Sequence, residues 1–118
     1  MNPIHEQLRK SFKLMEKGLE EEKIEIIQQS IYGIIESLAT NIKNLDDKEI
    51  YSALLNLATG FCYLKDYESG TKMIELAINL APDYYLAYER LADVHEEKGD
   101  PVKTGALHAQ AKQLRIKT

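Results

Sequence analysis

The chain has 118 residues, a formal net charge of −4, one cysteine and no tryptophan, a length that carries one modest core. The acidic balance speaks against nucleic acid, whose binders need a basic footprint, and the lone Cys62 excludes an internal disulfide framework or a multi-cysteine zinc site. The opening MNPIHEQLRKSF lacks the apolar core of a signal peptide and no run reaches transmembrane length, so no membrane insertion and a cytoplasmic setting are expected.

Only six glycines and three prolines interrupt a chain rich in Leu, Ile, Ala, Glu and Lys, a composition that favours helices. Ile4, Leu8, Phe12, Met15 and Leu19 recur at helical spacing and predict a first helix, with Gly18 weakening its end. A second helix is expected over about 21–43. Its Ile24, Ile27, Ile31, Ile34, Leu38 and Leu45 fit a and d positions of a heptad, widened by Ile35 and Ile42. A stripe that wide needs more than one neighbour. Asp46 with Glu49 three residues on forms a capping-box pattern for a third helix, on which Leu54, Leu57, Ala58, Phe61 and Leu64 share one face. Lys65-Asp66 breaks the run, and Asp66 can cap a fourth helix over 67–80. Met73, Ile74, Ala77, Ile78 and Leu80 form its apolar side, Gly70 and Ala77 are small contact points, and Pro82 ends it. Asp83 is expected to cap a fifth helix over 84–98, stopped by Gly99. Asp100-Pro101 restarts the chain into a sixth helix that runs to about Arg115.

Self-comparison at an offset of 34 residues aligns Leu54 with Tyr88, Leu57 with Leu91, Ala58 with Ala92, Phe61 with His95, Asp66 with Asp100, Ala77 with Ala111 and Leu80 with Leu114. Each pair keeps its size or role. Residues 51–84, with Leu54, Leu57-Ala58, Phe61, Lys65-Asp66-Tyr67, Gly70, Ala77 and Pro82, resemble a tetratricopeptide repeat. Residues 85–118 resemble a second one, through Tyr88, Leu91-Ala92, His95, Gly99-Asp100-Pro101, Thr104 and Ala111. His95 for the aromatic, Thr104 for the first alanine and the missing closing proline suggest a terminal, capping repeat. The same shift applied upstream sets Glu20, Lys23 and Ile24 on the key sites, so residues 1–48 do not keep the phase. They form either a diverged hairpin that completes the core or an association surface, whose isoleucine-rich helix pairs with a second copy in a homodimer. The resemblance implies a single all-α domain of helical hairpin repeats in a right-handed superhelix, with about six helices in three antiparallel pairs.

It further implies that the first helix of each pair lines a concave groove for another protein or peptide segment, as in adaptors, scaffolds and small chaperones. The positions that map there are Ser52, Leu55, Asn56, Thr59, Cys62 and Tyr63, then Leu86, Glu89, Arg90, Asp93 and Glu97. They alternate with the core positions and are expected to have no packing role. Asn56 and Arg90 stand where family members grip a C-terminal carboxylate, and a guanidinium suits that task. The lysine such clamps also use falls at Leu86, so a mixed apolar and polar groove is expected. Arg90 could instead pair with Glu89, Asp93 or Glu97. His5, His95 and His108 show no metal-ligand spacing with one another or with Cys62, and no phosphate loop or nucleophile motif occurs. The expectation is a non-enzymatic chain with no catalytic residue, metal or cofactor.

Overall fold

The computed structural model describes residues 3–117, with side chains from His5 to Ile116; Ile4 thus lies outside the described side chains. The described residues form six helices and no strand: α1 Pro3–Glu21, α2 Ile24–Asn41, α3 Asp47–Tyr63, α4 Tyr67–Leu80, α5 Leu86–Glu97 and α6 Pro101–Lys117, with a 3-10 turn at Ile42–Asn44. Short loops make consecutive helices antiparallel neighbours, giving hairpins α1/α2, α3/α4 and α5/α6. Successive hairpins meet through α2 and α1 against α3, and through α4 against α5.

One turn geometry closes all three hairpins. Glu22, Lys65 and Gly99 adopt left-handed φ values of 54°, 69° and 77°. The next residue's N–H reaches back to a carbonyl five positions earlier: Lys23 to Gly18, Asp66 to Phe61 and Asp100 to His95, each at 2.9 Å. This is the Schellman bond that satisfies orphan carbonyls at a helix end. Asp66 then caps α4 by accepting from the Ser69 N–H at 3.2 Å, and Asp100 caps α6 by accepting from Lys103 at 3.1 Å. The capping box of α3 is complete, with Glu49 N–H on Asp46 Oδ1 at 2.8 Å and Asp46 N–H on Glu49 Oε1 at 3.1 Å. His5 of α1 lies 3.4 Å from the other Glu49 oxygen, which ties the start of α1 to the start of α3.

Two boundaries differ from the sequence reading. Gly18 lies inside the last turn of α1, which runs on to Glu21 and delays α2 until Ile24. A Cβ at Gly18 would sit 2.7 Å from Ile27 Cγ1 and 2.9 Å from the Ile27 nitrogen, so this glycine is where the two helices touch. Asp83 does not cap α5, which starts at Leu86 instead of Tyr84. The tyrosine of another hairpin does that work: the Ala87 N–H donates to the Tyr51 hydroxyl at 2.8 Å.

Two apolar clusters hold the stack. The first joins Leu8 and Met15 of α1, Ile27, Ile31 and Ile34 of α2, Leu45, and Ala53 and Leu57 of α3. The second joins Tyr51, Leu54, Leu55 and Ala58 of α3 with Ile74 and Ala77 of α4 and Ala87 and Val94 of α5. The isoleucine stripe of α2 is therefore divided. Ile27, Ile31 and Ile34 are buried, whereas Ile24, Ile35 and Ile42 face solvent.

Ala58 and Ala77 are 1% and 0% exposed where α3 and α4 cross. Replacing either with Trp is expected to cost about 3 kcal/mol or more by overpacking, read as a collapse of the thermal midpoint. Lys65→Gly is expected to do the opposite. It relieves a left-handed non-glycine residue and should add about 0.5–1 kcal/mol, measured by urea unfolding.

Candidate functional site

α1, α3 and α5, the first helices of the three hairpins, line one face. It holds two clefts, of about 230 Å³ and 450 Å³, that share Leu19, Thr59 and Arg90 and so adjoin end to end as one channel-like depression. The larger is walled by Phe12, Met15, Glu16 and Leu19 of α1, by Lys48, Tyr51, Ser52, Leu55, Asn56 and Thr59 of α3, and by Tyr84, Leu86 and Arg90. The smaller continues past Ala58, Cys62, Tyr63 and Ile74 to Asp93, Val94 and Glu97.

The structure brings together Ser52, Leu55, Asn56, Thr59, Cys62, Tyr63, Leu86, Arg90, Asp93 and Glu97 along this channel. Glu89 is elsewhere: it pairs with Arg115 of α6, whose guanidinium also stacks over the Tyr85 ring at 4.6 Å. Leu55 departs from expectation, because it is only 5% exposed and belongs to the second core cluster. It is floor to the channel and packing for the repeat at once. Thr59 and Asn56 spend one donor each on their own helix, Thr59 Oγ1 to the Leu55 carbonyl at 3.0 Å and Asn56 Nδ2 to the Ser52 carbonyl at 2.9 Å. The amide oxygen of Asn56 has no partner among the described residues.

Arg90 does not make the local pairs open to it by spacing. Glu89 is taken by Arg115, and Glu97 accepts from the Tyr67 hydroxyl at 2.8 Å. Among the described residues Arg90 has neither ion pair nor hydrogen-bonded side-chain partner, and it stands exposed where the clefts join. The Glu97 bond raises the Tyr67 phenol above its ordinary pKa, since the carboxylate accepts its proton. Burial pushes the Cys62 thiol up, and Glu97 and Asp66 add to it, the opposite of an activated nucleophile.

Sequence reasoning missed the α1 wall. Phe12 and Leu19 were read only as part of the apolar face of α1, and they do pack against the first cluster while also walling the channel, and no motif marks Glu16. It also missed that α5 and α6 bring His108 beside Asp93 and Glu96, one ligand atom from each within 4.8 Å of the others. All three are exposed, so they form a solvated rim to the acidic end of the channel.

No family model and no curated protein matches this sequence. Among solved structures, the C-terminal TPR-containing domain of a Plasmodium falciparum protein described as an FK506-binding protein is similar. The TM-score is 0.63 at 20% identity, covering 98% of this chain and 83% of that one. The chain thus has the tetratricopeptide-repeat fold. No helix among the described residues is long and apolar enough to cross a membrane.

Tyr51 sets the joint between the hairpins that shape the channel. Its ring lies 5.4 Å from that of Tyr84, which in turn lies 5.2 Å from Tyr85. Burial raises the Tyr51 phenol above its ordinary value of 10.0, with the Ala87 N–H opposing. The folded chain therefore holds this proton more tightly than the unfolded chain. The associated stability is full below about pH 10 and is lost as pH rises through the folded value. Tyr51→Phe should cost about 1–2 kcal/mol at neutral pH by orphaning the Ala87 N–H, and should flatten the alkaline loss of stability. Urea unfolding at several pH values checks both, with hydrogen exchange at the Ala87 amide.

Proposed function

We propose that the channel holds a segment of another protein, and that the chain acts without catalysis as an adaptor, scaffold or small chaperone in the cytoplasm. Residues 51–84 and 85–118 serve as the repeats that present the groove, and 1–48 as a diverged repeat that completes it. Support for the last point is the shared turn geometry at Glu22, Lys65 and Gly99. The observation that carries the reading is Arg90: a guanidinium left without a protein partner at the junction of two apolar-floored clefts. An unspent guanidinium over a concave face offers paired donors to a carboxylate or to backbone carbonyls.

The chemistry along the channel describes the occupant. Leu19, Leu55 and Leu86 offer apolar contact, Asn56 offers an amide to peptide backbone, and Asp93 with Glu97 make the far end acidic. A segment with an apolar side chain near its middle and a basic residue toward the α5 end matches that order. Tyr63, 36% exposed at the channel wall, supplies a face on which such a side chain can lie.

Asn56→Ala combined with Arg90→Ala should leave the helical circular-dichroism spectrum and thermal midpoint unchanged, while binding of the partner falls at least about tenfold. Affinity capture from native extract, wild type beside the double variant, followed by mass spectrometry checks this. A protein held by wild type and lost with the variant supports the groove. A catch indifferent to both substitutions sinks it.

A further inference from the structure

The α2 surface left outside the core carries a second assignment. Ile24, Tyr32, Ile35 and Ile42 are 52%, 74%, 43% and 50% exposed. With Gln28 and Ala39 between them they follow one another at three- and four-residue steps, so they form one stripe along the outer side of the helix and its 3-10 extension. An apolar stripe of this kind marks a surface that meets another macromolecule.

The polar groups beside the stripe say which one. Glu25, Tyr32, Glu36 and Lys43 follow its edge, and their side chains have no ionic or hydrogen-bonding partner among the described residues. Their positions are symmetric: 25 and 43 lie nine residues either side of 34, and 32 and 36 lie two either side. When two identical helices run antiparallel, the same flank of each meets itself, and residues equidistant from the centre stand level. Such a pair, centred beside residue 34, sets each Glu25 against Lys43 of the other copy and each Tyr32 hydroxyl against the other copy's Glu36. A parallel pair sets these groups against the opposite flank and leaves them unmatched.

We propose that the outer face of α2 seats a second copy of this chain, as an antiparallel helix pair about a two-fold axis. The channel on α1, α3 and α5 includes no α2 residue, so both channels stay open in the dimer. A face one helix wide falls short of the usual about 800 Å² per partner, which places the association in the reversible range.

Sedimentation equilibrium of the full chain from about 1 μM to about 1 mM tests the assignment. Wild type should show a monomer–dimer equilibrium. Glu25→Lys alone and Lys43→Glu alone should each weaken it about tenfold, because each sets like charges together twice per dimer. The double variant, which restores opposite charges, should return to within about threefold of wild type. Ile35→Asp should abolish the dimer. Because Glu25, Ile35 and Lys43 are all exposed, each variant should keep its helical spectrum. A wild type monomeric throughout overturns the proposal and leaves the stripe to a different protein. A dimer that survives Ile35→Asp, or that the charge exchange does not rescue, overturns it as well.

Discussion

Ala53 and Leu57 of α3 lie in the core of the first hairpin, whereas Tyr51, Leu54, Leu55 and Ala58 of the same helix lie in the core it shares with α4 and α5. Among the described residues α3 alone contributes buried members to both clusters. α3 therefore cannot shift to relax one cluster without opening the other, and close-packed interiors resist such shifts. Its placement is fixed at the start by the Asp46–Glu49 capping box and at the end by the left-handed turn at Lys65. The channel is a consequence, since the α3 residues that line it are interleaved along the helix with those that pack.

That interleaving explains why some of the molecule was readable from sequence and some was not. Asp66 and Asp100-Pro101 act through neighbours three residues away, so local spacing revealed them. Asp83 looked identical in local terms, yet α5 starts at Leu86, two residues later than expected, and its Ala87 amide is met by Tyr51, 36 positions earlier in the chain. The first hairpin hid for a related reason. Its turn uses Glu22 where the last uses Gly99, and its turn position precedes that of the second hairpin by 43 residues instead of 34. A self-comparison at fixed offset passes over it.

The groove positions were legible as a set, because helical periodicity separates outward from inward residues. Their individual states were not. Arg90 stands unpaired while Arg115 of α6 engages Glu89 and Tyr67 of α4 engages Glu97, two long-range choices that spacing on one helix cannot foresee. The isoleucines of α2 show the same limit. Their heptad pattern announced a wide stripe, and only the packed structure divides it into an inner half that completes the first core and an outer half that stays free. Groove and stripe lie on different helices, so occupation of one places no steric demand on the other.

The shared position of α3 also sets an order of assembly during synthesis. Every buried member of the first cluster lies at or before Leu57. That cluster can close as soon as α3 leaves the ribosome, while α4 to α6 are still unmade, and domains do fold as such units during synthesis. The flank of α3 that carries Leu54, Leu55 and Ala58 is then already rigid when α4 and α5 emerge. Later hairpins meet a template in place of a collapsing coil, and the array grows from its N-terminal end in the order in which it is translated.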